Sequence, residues 1–198
     1  MKNYNKRFIH LTIKTKYKVM STAETIISTN EAQLKDSILA LINGIQENPD
    51  KASAVFKAKS KLENGFLTRI KTRNFKFVSD EPVELGGTDQ GPNPVEYVLG
   101  AFAACQEIVI KAYATVLDID IKSVKVEVEG KLDLHGFLNL TEARAGFESV
   151  TYKTTIETNE TDKEKLKTLK HLSVARCPVL DIIKNPVPLS GSVQFITY

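Results

Sequence analysis

At 198 residues, with 42% hydrophobic and 26% charged side chains, the chain has the composition of a globular protein with room for one substantial core. Its net charge of +3 is unevenly placed: residues 1–19 hold Lys2, Lys6, Arg7, Lys14, Lys16 and Lys18 and no acid, whereas the remainder carries 21 basic and 24 acidic residues. No run of about 18 apolar residues occurs, which argues against a transmembrane helix, and lysines break up the apolar residues of the first 19 positions, unlike a signal peptide.

A basic tail of this kind can contact nucleic acid or anionic lipid. Residues 1–19 are read instead as a disordered, solvated extension, with neither nucleic acid nor membrane as a partner. Two cysteines in a chain of this length make no disulfide framework. They suit a reducing compartment, so the expected location is cytoplasmic, and they are either inert core thiols or redox-active ones.

Residues 20–51 form an N-terminal helical segment. Asn30 is the expected cap of a helix over 31–47, where Leu34, Ile38, Leu41, Ile42 and Ile45 make one apolar face, and Asn48-Pro49-Asp50 ends it. Strands are predicted near 53–60, 66–71 and 74–78. The punctuation of Gly86-Gly87-Thr88-Asp89-Gln90-Gly91-Pro92-Asn93-Pro94 marks a loop. It lacks the spacing of a P-loop or a dinucleotide site and is read as a structural turn.

From Asn93 to Leu117 a long helix follows, apolar nearly all round, which must be buried on several sides. Val124, Val126, Val128, Leu132 and Leu134 then alternate with charged residues, and Val150, Tyr152, Thr154 and Ile156 repeat the pattern. The spans 122–135 and 147–158 are therefore paired as half-buried antiparallel strands. Thr161-Asp162-Lys163-Glu164 has the form of a capping box opening a helix. A short helix follows Pro178, and Val193 and Phe195 close the chain as a strand. The order of elements is that of an α+β fold.

Two residues invite chemistry. Cys105, inside the long helix, reads by itself first as a small buried packing residue. Cys177 precedes Pro178 and so falls at a helix N-cap, where unpaired N–H groups favour a thiolate. The histidines have no metal-ligand spacing to one another or to the cysteines, and no metal is expected.

The loop Gly86–Pro94 opening the long helix, with Ala103-Ala104-Cys105 inside it and Arg176-Cys177-Pro178-Val179 downstream, resembles the signature of the OsmC and organic hydroperoxide resistance family. The resemblance covers roughly 52–198, and the Pro-x-Glu spelling is similar to the family's less characterised branches. It implies antiparallel sheets packed around a long buried central helix, in an intertwined homodimer with two sites at the interface. It also implies a thiol peroxidase without cofactor that reduces alkyl or lipid hydroperoxides. Cys105 would be the peroxidatic thiolate and Cys177 the resolving one, and an external dithiol, typically a lipoylated protein, would be the reductant.

Two positions depart from the pattern. The family's glutamate directly after Asn-Pro is Val95 here, and Glu96 lies about 180° around an ideal helix from Cys105. The activating arginine is assigned to Arg73, with Arg69 behind it. The competing reading is a non-catalytic dimer that binds a small apolar ligand at its interface.

Overall fold

The computed structural model describes residues 22–198. The basic segment 1–19 lies outside the described residues. The first helix, α1 (Thr22–Glu47), starts earlier than the sequence suggests, so Asn30 lies within it and is not its cap. Extending an existing helix is easier than nucleating one, and the tract from Thr22 to Thr29 contains no proline or glycine. Asn48 then accepts from the amide of Asp50 and starts a short 3-10 turn, Pro49–Ala52.

Three strands follow, β1 (Lys59–Asn64), β2 (Leu67–Thr72) and β3 (Phe75–Ser79), paired in order as an antiparallel sheet. The first strand is displaced from the predicted 53–60. The reversal that sets its register is at Gly65, whose φ of 54° suits glycine, and β1 pairs backwards from that turn.

The long helix α2 (Pro94–Val116) is where the sequence places it, with Asn93 as N-cap and Leu117 as C-cap. By length and composition it alone among the described helices could cross a membrane. Here it is the element on which the others pack: β4 (Ile121–Leu132), α4 (Lys163–Ala175), α5 (Pro178–Lys184) and α1 all touch it. Phe102, Gln106, Ile110 and Ala114, four residues apart, form its buried stripe. Burying a Phe or Ile fully contributes about 1.5–3 kcal/mol each. Ile110 and Ala114 join Ile119 and Leu169 in the core, which Tyr113, Val124 and Ile156 close from the sides. Within one chain part of the apolar surface of α2 is left uncovered: Ile108 is 68% exposed and Val98 42%.

β4 and β5 (Phe147–Thr158) form a separate two-stranded antiparallel sheet, joined through the short helix α3 (Leu134–Phe137). Along β4 the half-buried positions Val124, Val126, Val128 and Leu132 alternate with exposed ones, as predicted. Leu134 drops out of the strand because Asp133 caps α3 by accepting from the His135 amide. Asp162, rather than Thr161, caps α4, accepting from the amides of Glu164 and Lys165. Residues 185–198 contain no assigned strand, so the predicted terminal strand at Val193 and Phe195 is not formed within one chain. A strand exists only when paired, and this segment has no sheet partner among the described residues. The architecture is α+β with antiparallel sheets around a long central helix.

Candidate functional site

Asp80, just past the end of β3, is buried, and the Gly86–Asn93 loop folds around its carboxylate. Its oxygens accept from the Thr88 hydroxyl (2.5 Å), the Thr88 amide (3.1 Å), the Gln90 amide (3.3 Å) and the Glu81 amide (2.9 Å). Those bonds, the Thr88 hydroxyl foremost, hold its carboxyl below the ordinary carboxylate range. Gly87 is required, because a Cβ there would lie 1.8 Å from the Glu81 carbonyl oxygen. The loop is thus a structural turn that delivers the chain to Asn93. There the Asn93 side chain accepts from the Glu96 amide (2.9 Å), and the Glu96 carboxylate accepts from the Asn93 amide (2.8 Å). Glu96 therefore completes a capping box. Its role is at the helix end, and Val95 is left half-buried in the place of the family's glutamate.

With α2 started in this register, Cys105 comes three turns later at the edge of the buried stripe, half-buried. The second cysteine arrives from the other end of the chain. Arg176 ends α4, Cys177 occupies the N-cap of α5, and Pro178 takes the first helical position, where a missing N–H is harmless. Cys177 is buried at 1% exposure and makes no side-chain cap bond. Its sulfur instead lies 3.3 Å from the sulfur of Cys105, within hydrogen-bonding reach. Both cysteines are free thiols, separated by little more than an ångström beyond a covalent S–S bond of about 2.05 Å.

The electrostatics divide. Burial pushes the Cys105 thiol up; the backbone N–H of Val179, at the start of α5, pulls the other way, and the contact with Cys177 adds to the rise. The lowering influence of the α5 N-terminus on Cys105 contrasts with the sequence reading, which assigns that benefit to Cys177. Among the described residues no cation figures among the groups that act on the Cys105 thiol. Arg73 sits at the exposed tip of the β2–β3 hairpin at φ 51°, its guanidinium 5.1 Å over the Phe75 ring. Arg69 pairs with Glu63 at 2.6 Å. Neither is brought to Cys105 by a contact within the chain.

A cavity of about 620 Å³ opens between the three-stranded sheet and the first turns of α2. Leu62, Phe66, Ile70 and Phe77 line it from the sheet, Tyr97 and Ala101 from the helix. Tyr97 is held by donation to the Val78 carbonyl (2.5 Å) and by a tilted ring contact with Phe77. Since Tyr97, Ala101 and Cys105 are successive i+4 neighbours, Cys105 stands on the helical stripe that lines the cavity, one turn beyond its wall. Among the described residues no group of three or more His, Cys, Asp or Glu side chains converges as a metal would need.

The family model described as OsmC-like protein matches residues 87–191, from the Asp80-bound loop through both cysteines. The chain belongs to the OsmC-like family. Among solved structures it is similar to an OsmC-like protein from Mycoplasma pneumoniae, with a TM-score of 0.58 at 17% identity over 68% of this chain and 90% of that one. It is also similar to a putative osmotic stress induced and detoxification response protein from Psychrobacter arcticus, with a TM-score of 0.52 at 20% identity over 68% of this chain and 91% of that one. An OsmC-like protein of unknown function from Vibrio cholerae gives a TM-score of 0.52 at 12% identity, over 65% and 93% of the two chains. These likenesses establish the shared fold. No curated protein matches the sequence.

Proposed function

We propose that this OsmC-family chain is a cytoplasmic, cysteine-based thiol peroxidase that reduces organic hydroperoxides. The observation that carries the reading is the reduced pair itself: two sulfurs 3.3 Å apart, one on the central helix and one at the N-cap of α5. The Cys105 thiolate attacks the distal oxygen of ROOH. The O–O bond breaks, and the alkoxide takes up a proton and leaves as alcohol. Cys105 is left as a sulfenic acid, its sulfur oxidised by two electrons. Cys177 then displaces hydroxide from that sulfur, and water and a disulfide result. An external dithiol, such as a lipoylated protein, exchanges with the disulfide, restores both thiols and is itself oxidised.

The apolar cavity one turn from Cys105 suits the hydrocarbon end of an alkyl or lipid hydroperoxide. Two copies of the chain would cover the exposed apolar face of α2, and the site would then lie at a homodimer interface. Arg73 assists the thiolate only where the second copy brings its hairpin tip to the pair. Steady-state consumption of an alkyl hydroperoxide with a dithiol reductant tests the proposal. Turnover lost in Cys105→Ser is the expected result, and a wild-type protein that consumes no hydroperoxide at any pH from 6 to 10 contradicts it.

Two observations favour the competing reading, an apolar-ligand-binding dimer without turnover. Burial holds the Cys105 thiol protonated, and Glu96 is committed to the helix cap. Tight binding of a fatty acid that is unaffected by Cys105→Ser, together with no peroxide consumption, would establish it.

A further inference from the structure

Gln106 is the polar member of the buried stripe of α2, 1% exposed between Phe102 and Ile110. A buried carboxamide is costly unless its groups are bonded. Its Nε2 donates to the backbone carbonyl of Ser173 at 3.0 Å, a partner 67 residues away. Ser173 lies in the last turn of α4, where helical carbonyls run out of downstream amides; the Arg176 amide, at the C-cap, goes to Leu172. Immediately afterwards the chain turns through Arg176 to Cys177. Gln106, the residue next to Cys105, therefore ties the central helix to the helix end from which Cys177 is launched.

We propose that Gln106 is a positioning residue for the thiol pair: by holding the Ser173 carbonyl it keeps the Cys177 sulfur in contact with Cys105 and sets both the stability of their disulfide and the speed of its formation. It acts through the α4 turn rather than on the reacting sulfurs. Two thiols held in contact close to a disulfide with less loss of freedom than two that wander, so the tether favours the oxidised form. The kinetic half rests on the peroxidase reading. There Cys105 sulfenic acid and the Cys177 thiol give the disulfide and water. When that step slows, a second hydroperoxide oxidises the sulfenic acid to sulfinic acid and leaves as alcohol. The equilibrium half needs no peroxide.

The experiment equilibrates the full chain with mixtures of reduced and oxidised dithiothreitol and measures the Cys105–Cys177 disulfide. Gln106→Met, which keeps the length and volume but removes the N–H, should lower the equilibrium constant for the disulfide about tenfold, about 30 mV toward a more oxidising potential. Leu169→Val thins the same α2–α4 packing without touching the hydrogen bond, and should leave the constant near the wild-type value. Gln106→Glu supplies a second variant should Gln106→Met not fold. A protonated carboxyl can donate to Ser173 and a carboxylate cannot, so its deficit should grow as pH rises. A wild-type constant in Gln106→Met, an equal fall in Leu169→Val, or a deficit in Gln106→Glu independent of pH would each overturn the proposal. A chain that consumes no hydroperoxide but shows the expected shifts removes the peroxidase reading and leaves the positioning role standing.

Discussion

The sulfurs of Cys177 and Cys105 lie 3.3 Å apart, although 72 residues separate the two in sequence. The contact exists because α4 and α5 both pack on α2, so the turn between them is pressed against the central helix at Cys105. The chemistry proposed for this protein depends on that meeting.

The first prediction concerns disulfide closure. Mild oxidation of the purified chain should link Cys105 to Cys177 with little rearrangement, since the sulfurs already sit close to bonding distance. Peptide mapping under non-reducing conditions should recover one intramolecular cross-linked peptide. Recovery of only intermolecular cross-links would show that the pair does not meet in solution.

The second prediction concerns pH. Cys105 sits above its ordinary value of 9.0, mainly through burial, so at neutral pH the thiolate is scarcer than in a free cysteine. Its rate of alkylation by iodoacetamide, and peroxide turnover with it, should climb about tenfold per pH unit and reach no plateau below about pH 9. The stability linkage has the matching sign. The advantage of the neutral buried thiol is present below the unfolded pKa and is lost as pH rises through the folded one. A plateau below pH 7 would mean that a cation reaches the sulfur.

The third prediction separates the helix cap from the chemistry. Asn93→Ala removes the cap of α2 and should cost about 1 kcal/mol of stability, measured by urea unfolding. Glu96→Gln keeps an acceptor for the Asn93 amide, and peroxide turnover should persist. Loss of turnover without loss of stability in Glu96→Gln would return that carboxylate to the active site.

The fold was legible in sequence where one signal served one purpose. Asn93-Pro94 and the apolar run behind it define α2, and the alternation from Val124 to Leu132 defines β4. β1 has no such signal: apart from Leu62, Lys59–Asn64 is polar, and it is exposed along its length, so no periodicity marks it and only pairing from the Gly65 turn sets its register. The two cysteines were individually visible, but their contact belongs to the packing of α4 and α5 on α2. Asp80 and Gln106 were illegible for a related reason. Their partners, Thr88 and the Ser173 carbonyl, are supplied by other parts of the chain, and nothing local announces a buried polar residue whose bonds lie elsewhere. The one hint in the sequence is a glutamine in register with Phe102, Ile110 and Ala114 on the apolar stripe of the helix.

The fourth prediction is assembly. Ile108 and Val98 leave apolar surface on the central helix, and Val193 (83% exposed) and Phe195 (86% exposed) do the same on the unpaired C-terminal segment. Light scattering at micromolar concentration should give a dimer, and truncation after Asn185 should weaken it. A monodisperse monomer that retains activity would exclude a shared interface site.

The most direct test of the central claim is to trap the sulfenic acid after one equivalent of alkyl hydroperoxide and locate it by mass spectrometry in Cys177→Ser and Cys105→Ser. If Cys105 is the attacking sulfur, Cys177→Ser carries the trapped adduct on Cys105 after a single turnover, and Cys105→Ser carries none. An adduct on Cys177 in the Cys105→Ser protein, with Cys105 unmodified in the other, would contradict the account and make the N-cap cysteine the nucleophile.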